Sequence, residues 1–185
     1  MGDLRKYYKL SKQGYYSIGI RLSGGASFGL TNSGTQKFVI GSVENELIYF
    51  SNNATNLRIQ NAEDFALLTP FYPLRGYSYG SMQGSKFLLG NAEFRFPLFR
   101  ALITGPLPIL FQYMSGVIFA DAGTAWNTVF SLNDGALDES KLRNSIGIGA
   151  RAAVFGFPLK FDVSWHYRFP DWSDPNYNLS LGLDF

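Results

Sequence analysis

The C-terminal segment of the 185-residue chain decides the fold class, and it reads Tyr177-Asn178-Leu179-Ser180-Leu181-Gly182-Leu183-Asp184-Phe185. Successive side chains of a β-strand point to opposite faces, so one face holds Tyr177, Leu179, Leu181, Leu183 and Phe185, and the other holds only small or polar residues. Large apolar side chains opposite a small, polar face are typical of a wall with lipid on one side and water on the other. A strand of a soluble sandwich can show the same alternation, so the rest of the chain has to decide between the two.

The same two-faced pattern recurs upstream. In residues 159–169 the apolar face holds Leu159, Phe161, Val163, Trp165, Tyr167 and Phe169, and the polar face holds Lys160, Asp162, Ser164, His166 and Arg168. Similar segments are residues 144–155, 85–96 and 16–23, with a weaker strand at 3–10, a mixed one at 110–123 and an uncertain eighth at 37–50. At roughly 9–12 residues, these segments have the length of tilted membrane-spanning strands. The sequence therefore predicts an all-β fold, an antiparallel transmembrane β-barrel of about seven or eight strands.

Composition and charge exclude several other classes. The net charge is +2 with no basic run, which argues against nucleic acid as a partner. The chain has no cysteine, so disulfides, thiol catalysis and zinc–thiolate sites are excluded. The longest apolar stretch, residues 101–111, is interrupted by glycine and proline and is too short for a transmembrane helix. No metal or cofactor site is predicted, because Asp134, Asp138 and Glu139 lack the spacing of a calcium loop.

One connection, residues 29–84, is far longer than the others. A loop of this length is either functional or disordered, and this one is too rich in aromatic and aliphatic residues for disorder. It can fold into a wide lumen, where Arg75 would lose its water and would need a carboxylate. Glu93 and Asp121 are the predicted partners, since each lies on a strand that follows the loop. Gly76 permits a close approach of the backbone.

The motif around Arg75 carries a family resemblance. Leu74-Arg75-Gly76-Tyr77 resembles the Val/Leu-Arg-Gly-Phe/Tyr motif in the long sixth extracellular loop of the BamA/TamA superfamily, also called the bacterial surface antigen family. Further matches follow in order at residues 91–97, 119–123, 146–151 and 177–185. The resemblance implies a sixteen-strand barrel of which residues 1–185 supply the C-terminal half, with residues 29–84 as an extracellular loop inside the lumen. It also implies that Tyr177, Leu179, Leu181, Leu183 and Phe185 form the β-signal by which outer-membrane proteins are recognised for insertion.

The resemblance also implies a function and a location. We expect the chain in the outer membrane of a Gram-negative bacterium, where it would take part in the assembly, insertion or translocation of proteins without covalent chemistry. The expected partners are outer-membrane lipid, the outer-membrane assembly machinery and unfolded client proteins, and no cofactor is implied. The POTRA domains and early strands of the family have no counterpart in the sequence. Either upstream sequence is missing, or about eight strands close by themselves or pair with another chain. An eight-strand barrel has an interior just filled by side chains, with little room for the long loop, so we expect a truncated larger barrel.

Two other functions stay open at this point. The barrel could be an anchor or passive pore for a periplasmic domain, or it could be a membrane-embedded lipid-modifying enzyme. Such an enzyme would use Ser164, His166 and Asp162, which share one face of a strand. Neighbours at i and i+2 on a strand are roughly 6–7 Å apart, too far for the hydrogen bond between nucleophile and base. We therefore expect no enzyme and interpret His166 as a histidine that faces the lumen.

Overall fold

The computed structural model describes residues 1–12, 15–28, 37–43, 45–50, 68–98, 114–127, 142–154, 157–168 and 171–182. The strands among these residues are β1 (Gly2–Lys9), β2 (Ser17–Ala26), β3 (Lys37–Ile40), β4 (Glu46–Phe50), β5 (Leu68–Tyr72), β6 (Met82–Gly84), β7 (Lys86–Pro97), β8 (Ser115–Trp126), β9 (Arg143–Val154), β10 (Phe157–Arg168), β11 (Asp171–Trp172) and β12 (Asn176–Leu181). A search of this part of the chain found no helix with the length and hydropathy needed to cross a membrane.

Most strands belong to one antiparallel sheet with the order β1-β2-β7-β8-β9-β10-β12-β4, and β11 pairs with β10. Strands that follow one another in sequence are neighbours from β7 to β10, which is the usual result of short connections. The longest ladder joins β7 and β8 from Lys86↔Trp126 to Pro97↔Ser115 without a register shift. The predicted all-β, antiparallel fold is confirmed.

The two faces of this sheet differ as the sequence pattern predicts. The outer face, as we call it, carries exposed apolar side chains, among them Ile20, Leu22, Leu88, Ile118, Ile146, Ile148 and Phe161. The inner face carries buried polar side chains, among them Arg21, Asn91, Glu93, Asp121, Ser164, His166 and Asn178. A soluble sheet buries its apolar face instead. Here the exposure is reversed, because 52% of Ile148 but only 2% of Glu93 is exposed. An exposed apolar face and a buried polar face are typical of a barrel wall with lipid outside.

A small second sheet, with the order β5-β3-β6, packs on the inner face. Its strand β3 pairs in parallel with β5 and antiparallel with β6. The ring of Phe87 on β7 lies 4.7 Å from the ring of Phe38 and 4.2 Å from that of Tyr72. These rings belong to an apolar core of buried residues, which are Phe38, Ile40, Tyr72, Leu74, Tyr77, Met82, Phe87, Leu89 and Ala125. The small sheet is therefore packed against the wall rather than extended into solvent.

The single strand predicted over residues 37–50 is instead two strands in two sheets. The first, β3, belongs to the small sheet, and the second, β4, pairs with β12. Between them the backbone leaves the extended region, because φ is +147° at Gly41, +46° at Ser42 and +53° at Asn45. At Gly41 a Cβ would overlap the backbone O of Ser78, so only glycine fits there. The remainder of the predicted loop, residues 29–36 and 51–67, lies outside the described residues.

Candidate functional site

The candidate site begins with residues 74–77, which we call the loop tip and which follow β5 on the inner face. All four residues are buried. Ser42 N donates a hydrogen bond to Tyr77 O at 2.7 Å, and Leu74 N donates to Gly41 O at 3.4 Å. Both bonds run to the chain just beyond β3. These bonds connect the loop tip to the small sheet, which therefore fixes the position of the loop tip against the wall.

Arg75 is the charged residue of the loop tip, and only 5% of it is exposed. Its Nε and Nη2 donate to the two carboxylate oxygens of Asp121, each at 2.7 Å. Its Nη1 donates to Oε1 of Glu93 at 2.5 Å, and its backbone N donates to Asp121 at 3.3 Å. Two parallel N–H···O bonds to one carboxylate fix both the position and the plane of a guanidinium group. Arg75 is thus held by β7 and β8 together.

The charges around Arg75 balance. Glu93 also accepts from Arg95, through Nε at 3.0 Å and Nη2 at 2.7 Å, so two carboxylates face two guanidinium groups. Burial alone would lower the pKa of Arg75, but the carboxylate of Asp121, and after it that of Glu93, raises this pKa above its ordinary value. Arg75 therefore stays charged. Loss of one member would leave a buried charge without compensation.

An aromatic ring forms the floor under the guanidinium of Arg75. The Cζ atom of Arg75 lies 3.7 Å from the centroid of the Phe119 ring, which is a cation–π contact. Phe119 is two residues before Asp121 on β8 and faces the same way. Its cross-strand partner on β9 is Gly147, where a Cβ would overlap the Phe119 ring. The missing side chain at Gly147 leaves the room that the ring occupies.

The next two residues of the loop tip contact the other side of the inner face. Gly76 has a φ of +85°, and a Cβ there would lie 3.2 Å from Cβ of Ser145 on β9. Asn176, the first residue of β12, donates from Nδ2 to Gly76 O at 3.1 Å. The hydroxyl of Tyr77 donates to Asn144 O at 3.0 Å, and its ring lies 4.7 Å from that of His166. The loop tip therefore touches both halves of the inner face.

These features can now be set beside known proteins. Strands of 12 residues in β7 to β10, an apolar outer face and a polar inner face are those of an outer-membrane barrel wall. A family model described as the Omp85 superfamily domain matches residues 2–185. The chain belongs to the Omp85 superfamily. No curated protein matches the chain.

Omp85 proteins are β-barrels of the bacterial outer membrane that insert or translocate proteins there, without enzymatic activity. The resemblance inferred from the Arg75 motif is confirmed at this level. In this Omp85 domain, the side chains of Arg75, Glu93 and Asp121 are in direct contact. Leu74 and Tyr77 belong to the apolar core.

The predicted insertion signal of the Omp85 domain is only partly described. Tyr177, Leu179 and Leu181 lie on β12, and Tyr177 is exposed on the outer face. Leu183 and Phe185 lie outside the described residues. The alternation predicted for this strand therefore extends as far as Leu181.

Sequence reasoning missed three residues of the site. The sequence indicates Phe119 only as part of the family match at residues 119–123. Its place two residues before Asp121 nevertheless puts it on the same face of the strand. His166 was assigned to the inner face, but nothing in the pattern indicated that it would meet Tyr77. Asn176 carried no signal at all, because a polar residue at the start of a strand is ordinary. Contacts between segments 100 residues apart are set by the tertiary fold.

The side chains that suggested an enzyme are engaged in other contacts. Ser164 Oγ donates to the backbone O of Asn176 at 3.5 Å. His166 Nδ1 faces the amide Nδ2 of Asn176 at 3.3 Å. Asp162 accepts from Arg151 at 2.6 Å. Asn176 therefore occupies the space next to Nδ1 of His166. Within the described ranges, no group of three or more His, Asp or Glu residues could hold a metal ion.

Proposed function

We propose that this Omp85 domain is of the BamA/TamA type and acts in the assembly, insertion or translocation of proteins at the outer membrane. In this proposal residues 29–84 are an extracellular loop inside the lumen, and Arg75 fastens that loop to the wall. The observation that carries the proposal is the buried Arg75 between Glu93 and Asp121. The partners would be outer-membrane lipid, the assembly machinery and unfolded client proteins.

A buried ion cluster supports a positioning role better than a purely stabilising one. Taking a guanidinium and two carboxylates out of water costs about as much as their attraction returns, and apolar residues of similar volume often stabilise a protein as well or better. The advantage of the cluster is that it is specific. Arg75 fits one place, and if it leaves that place, Asp121 and Glu93 lose the cation that they share. A loop held in this way is either docked or released, which is what a step-wise assembly process requires.

The edges of the main sheet support a role with polypeptide clients. A strand at a sheet edge presents backbone N–H and C=O groups that can pair with another extended chain. Among the described residues, β1 and β4 are the terminal strands of the sheet. A client strand with alternating apolar and polar residues could add to such an edge while its apolar face meets lipid. The closing residues Tyr177, Leu179, Leu181, Leu183 and Phe185 would mark the chain itself for insertion by the same machinery.

Reconstitution tests the proposal directly. The chain is folded into liposomes of outer-membrane lipid, a urea-unfolded eight-stranded barrel is added, and client folding is followed by its altered gel mobility. We expect faster client folding with the wild-type chain than with empty liposomes, and a loss of that gain in Arg75→Ala. The matched control is Arg5→Ala, whose guanidinium is 45% exposed and pairs with Asp3.

Each other outcome identifies a rival. Solute leakage without faster client folding would indicate a passive pore or an anchor, and would overturn the proposal. Release of fatty acid from the liposomes, abolished by Ser164→Ala or His166→Ala, would indicate a lipid-modifying enzyme. Equal client folding with Arg75→Ala and Arg5→Ala would show that the activity does not need the attachment of the loop by Arg75.

A further inference from the structure

We propose that Asn176, oriented by His166, is a positioning residue that fastens the loop tip to β12, as a second attachment separate from the one at Arg75. The inference rests on the proposed function, since it assigns a role to the same loop tip. It also assigns a role to His166, a residue that the proposed function does not involve.

The contact between Asn176 and Gly76 is direct and buried. Asn176 is 3% exposed, and its Nδ2 donates to Gly76 O at 3.1 Å. Gly76 can come this close because it has no side chain: a Cβ would lie 3.2 Å from Cβ of Ser145 and 3.5 Å from Cβ of Ser164. A buried amide that lost its acceptor would be left with an unsatisfied polar group, which is costly. The bond is therefore strong enough to hold the loop tip.

His166 sets the direction in which Asn176 donates. An asparagine amide has two N–H donors and one carbonyl acceptor, and the two ends have nearly the same shape. Nδ2 of Asn176 lies between Gly76 O at 3.1 Å and His166 Nδ1 at 3.3 Å. Both are acceptors when His166 is neutral with its proton on Nε2, so both donors are used. The reverse orientation would bring two oxygens together at Gly76.

His166 itself is held on both sides. Its ring lies 4.7 Å from that of Tyr77 in the loop tip, and its backbone N donates to Ser173 Oγ at 3.1 Å. It is 2% exposed. Burial and the contact with Tyr77 restrict the rotation of this ring away from Asn176. We therefore expect His166 to act through Asn176 rather than on the loop alone.

The position of Asn176 in the sheet determines which part of the wall the second attachment reaches. Arg75 is tied to β7 and β8, whereas Asn176 starts β12, which follows β9 and β10 in the sheet order. Two consecutive loop residues therefore connect separate parts of the wall. Because β12 is next to the terminal strand β4, a shift of β12 would pull on Gly76 directly. The loop tip and β12 should move together.

The test uses Asn176→Asp, which keeps the size of the side chain but cannot donate to Gly76 O when ionised. The readout is chymotryptic cleavage after Tyr77 in the folded chain, measured without any client. Loss of one buried hydrogen bond predicts cleavage about five- to tenfold faster than in the wild type. The matched control is Asp171→Asn, which makes the reverse exchange at an exposed position on β11 and for which we expect the wild-type rate.

A double-mutant cycle distinguishes positioning from general loosening. If His166 acts through Asn176, His166→Ala will speed cleavage in the wild type and add little in the Asn176→Asp background. His166→Gln, which restores an acceptor, should return part of the protection. Additive effects, or no rescue by glutamine, would overturn the positioning role. Faster hydrogen exchange in residues 176–181 of Arg75→Ala is the expected sign that the loop tip and β12 are coupled.

The outcomes keep this inference apart from the proposed function. Wild-type cleavage in Asn176→Asp overturns the inference, whatever the client assay shows. Faster cleavage with unchanged client folding supports the attachment and removes its link to protein insertion. If Asn176→Asp does not fold, His166→Ala decides in its place: unchanged cleavage in that folded variant overturns the inference.

Discussion

The guanidinium of Arg75 lies over the ring of Phe119, with 3.7 Å between Cζ and the ring centroid. The same ring fills the space left by Gly147 on the neighbouring strand. Arginine, ring and glycine thus form three layers from the loop to the wall. The ring excludes water from one face of the cation, which strengthens the attraction of Asp121 and Glu93 within the plane.

Replacement of Arg75 should release the loop. Arg75→Ala leaves Asp121 and Glu93 buried without one of their cations, which costs roughly 3–5 kcal/mol at such sites. We expect faster chymotryptic cleavage after Tyr77, with membrane insertion retained. Arg75→Lys keeps the charge but cannot make the two parallel bonds to Asp121, so its effect should be intermediate. Cleavage unchanged in Arg75→Ala would remove the fastening role.

The two carboxylates should not contribute equally. Asp121 takes two side-chain bonds and one backbone bond from Arg75, whereas Glu93 takes one and also binds Arg95. Asp121→Asn should therefore cost about 3–5 kcal/mol. Glu93→Gln should cost about 1–3 kcal/mol, since Arg75 keeps its bidentate partner. Urea titrations that follow tryptophan fluorescence will rank the two, and the reverse order would contradict this geometry.

A methyl group at position 147 should affect Arg75 indirectly, through the ring of Phe119. In Gly147→Ala the new Cβ overlaps the Phe119 ring and lies 2.5 Å from the backbone O of Val163. Overpacking of this kind costs about 1–3 kcal/mol and would displace the ring that supports Arg75. The matched control is Gly90→Ala, whose Cβ has only Ala122 O at 4.0 Å. Loop-tip cleavage should rise in the first variant only.

The outer face should reject charge according to depth. Ile148 is in the middle of β9 and 52% exposed, while Leu142 precedes the strand and is 51% exposed. If this face meets lipid, Ile148→Arg should cost about 2–4 kcal/mol and Leu142→Arg about 0–1 kcal/mol. Folding equilibria in liposomes measure both. Equal costs would argue that water, not lipid, covers the outer face.

The proposed insertion signal can be separated from folding. Phe185→Ala should slow assembly into the outer membrane of cells, because the signal would lose its final aromatic residue. Folding of the purified chain in detergent should be unchanged, since no assembly machinery is involved. Asp184→Ala, on the polar side of the same alternation, is the control. Slower folding in detergent as well would make Phe185 a structural residue rather than a signal.

Local patterns were enough to predict the strands and their faces. The alternation in residues 159–169 predicted that Asp162, Ser164 and His166 would share the inner face, and all three are buried there. The prediction failed where a break depends on backbone angles. Residues 37–40 and 47–50 are rich in strand-forming side chains, but left-handed Ser42 and Asn45 between them divide the segment between two sheets.

The sequence by itself determined the strands of the wall, which of its faces is apolar, and the need of Arg75 for a carboxylate. These follow from side-chain alternation and from the cost of desolvating a charge, which are local properties. Only the tertiary structure decided that Phe119 lies under Arg75, and that Asn176 reaches Gly76 from 100 residues away. Such contacts depend on how far the loop enters and where the wall meets it, and no short-range pattern encodes that distance.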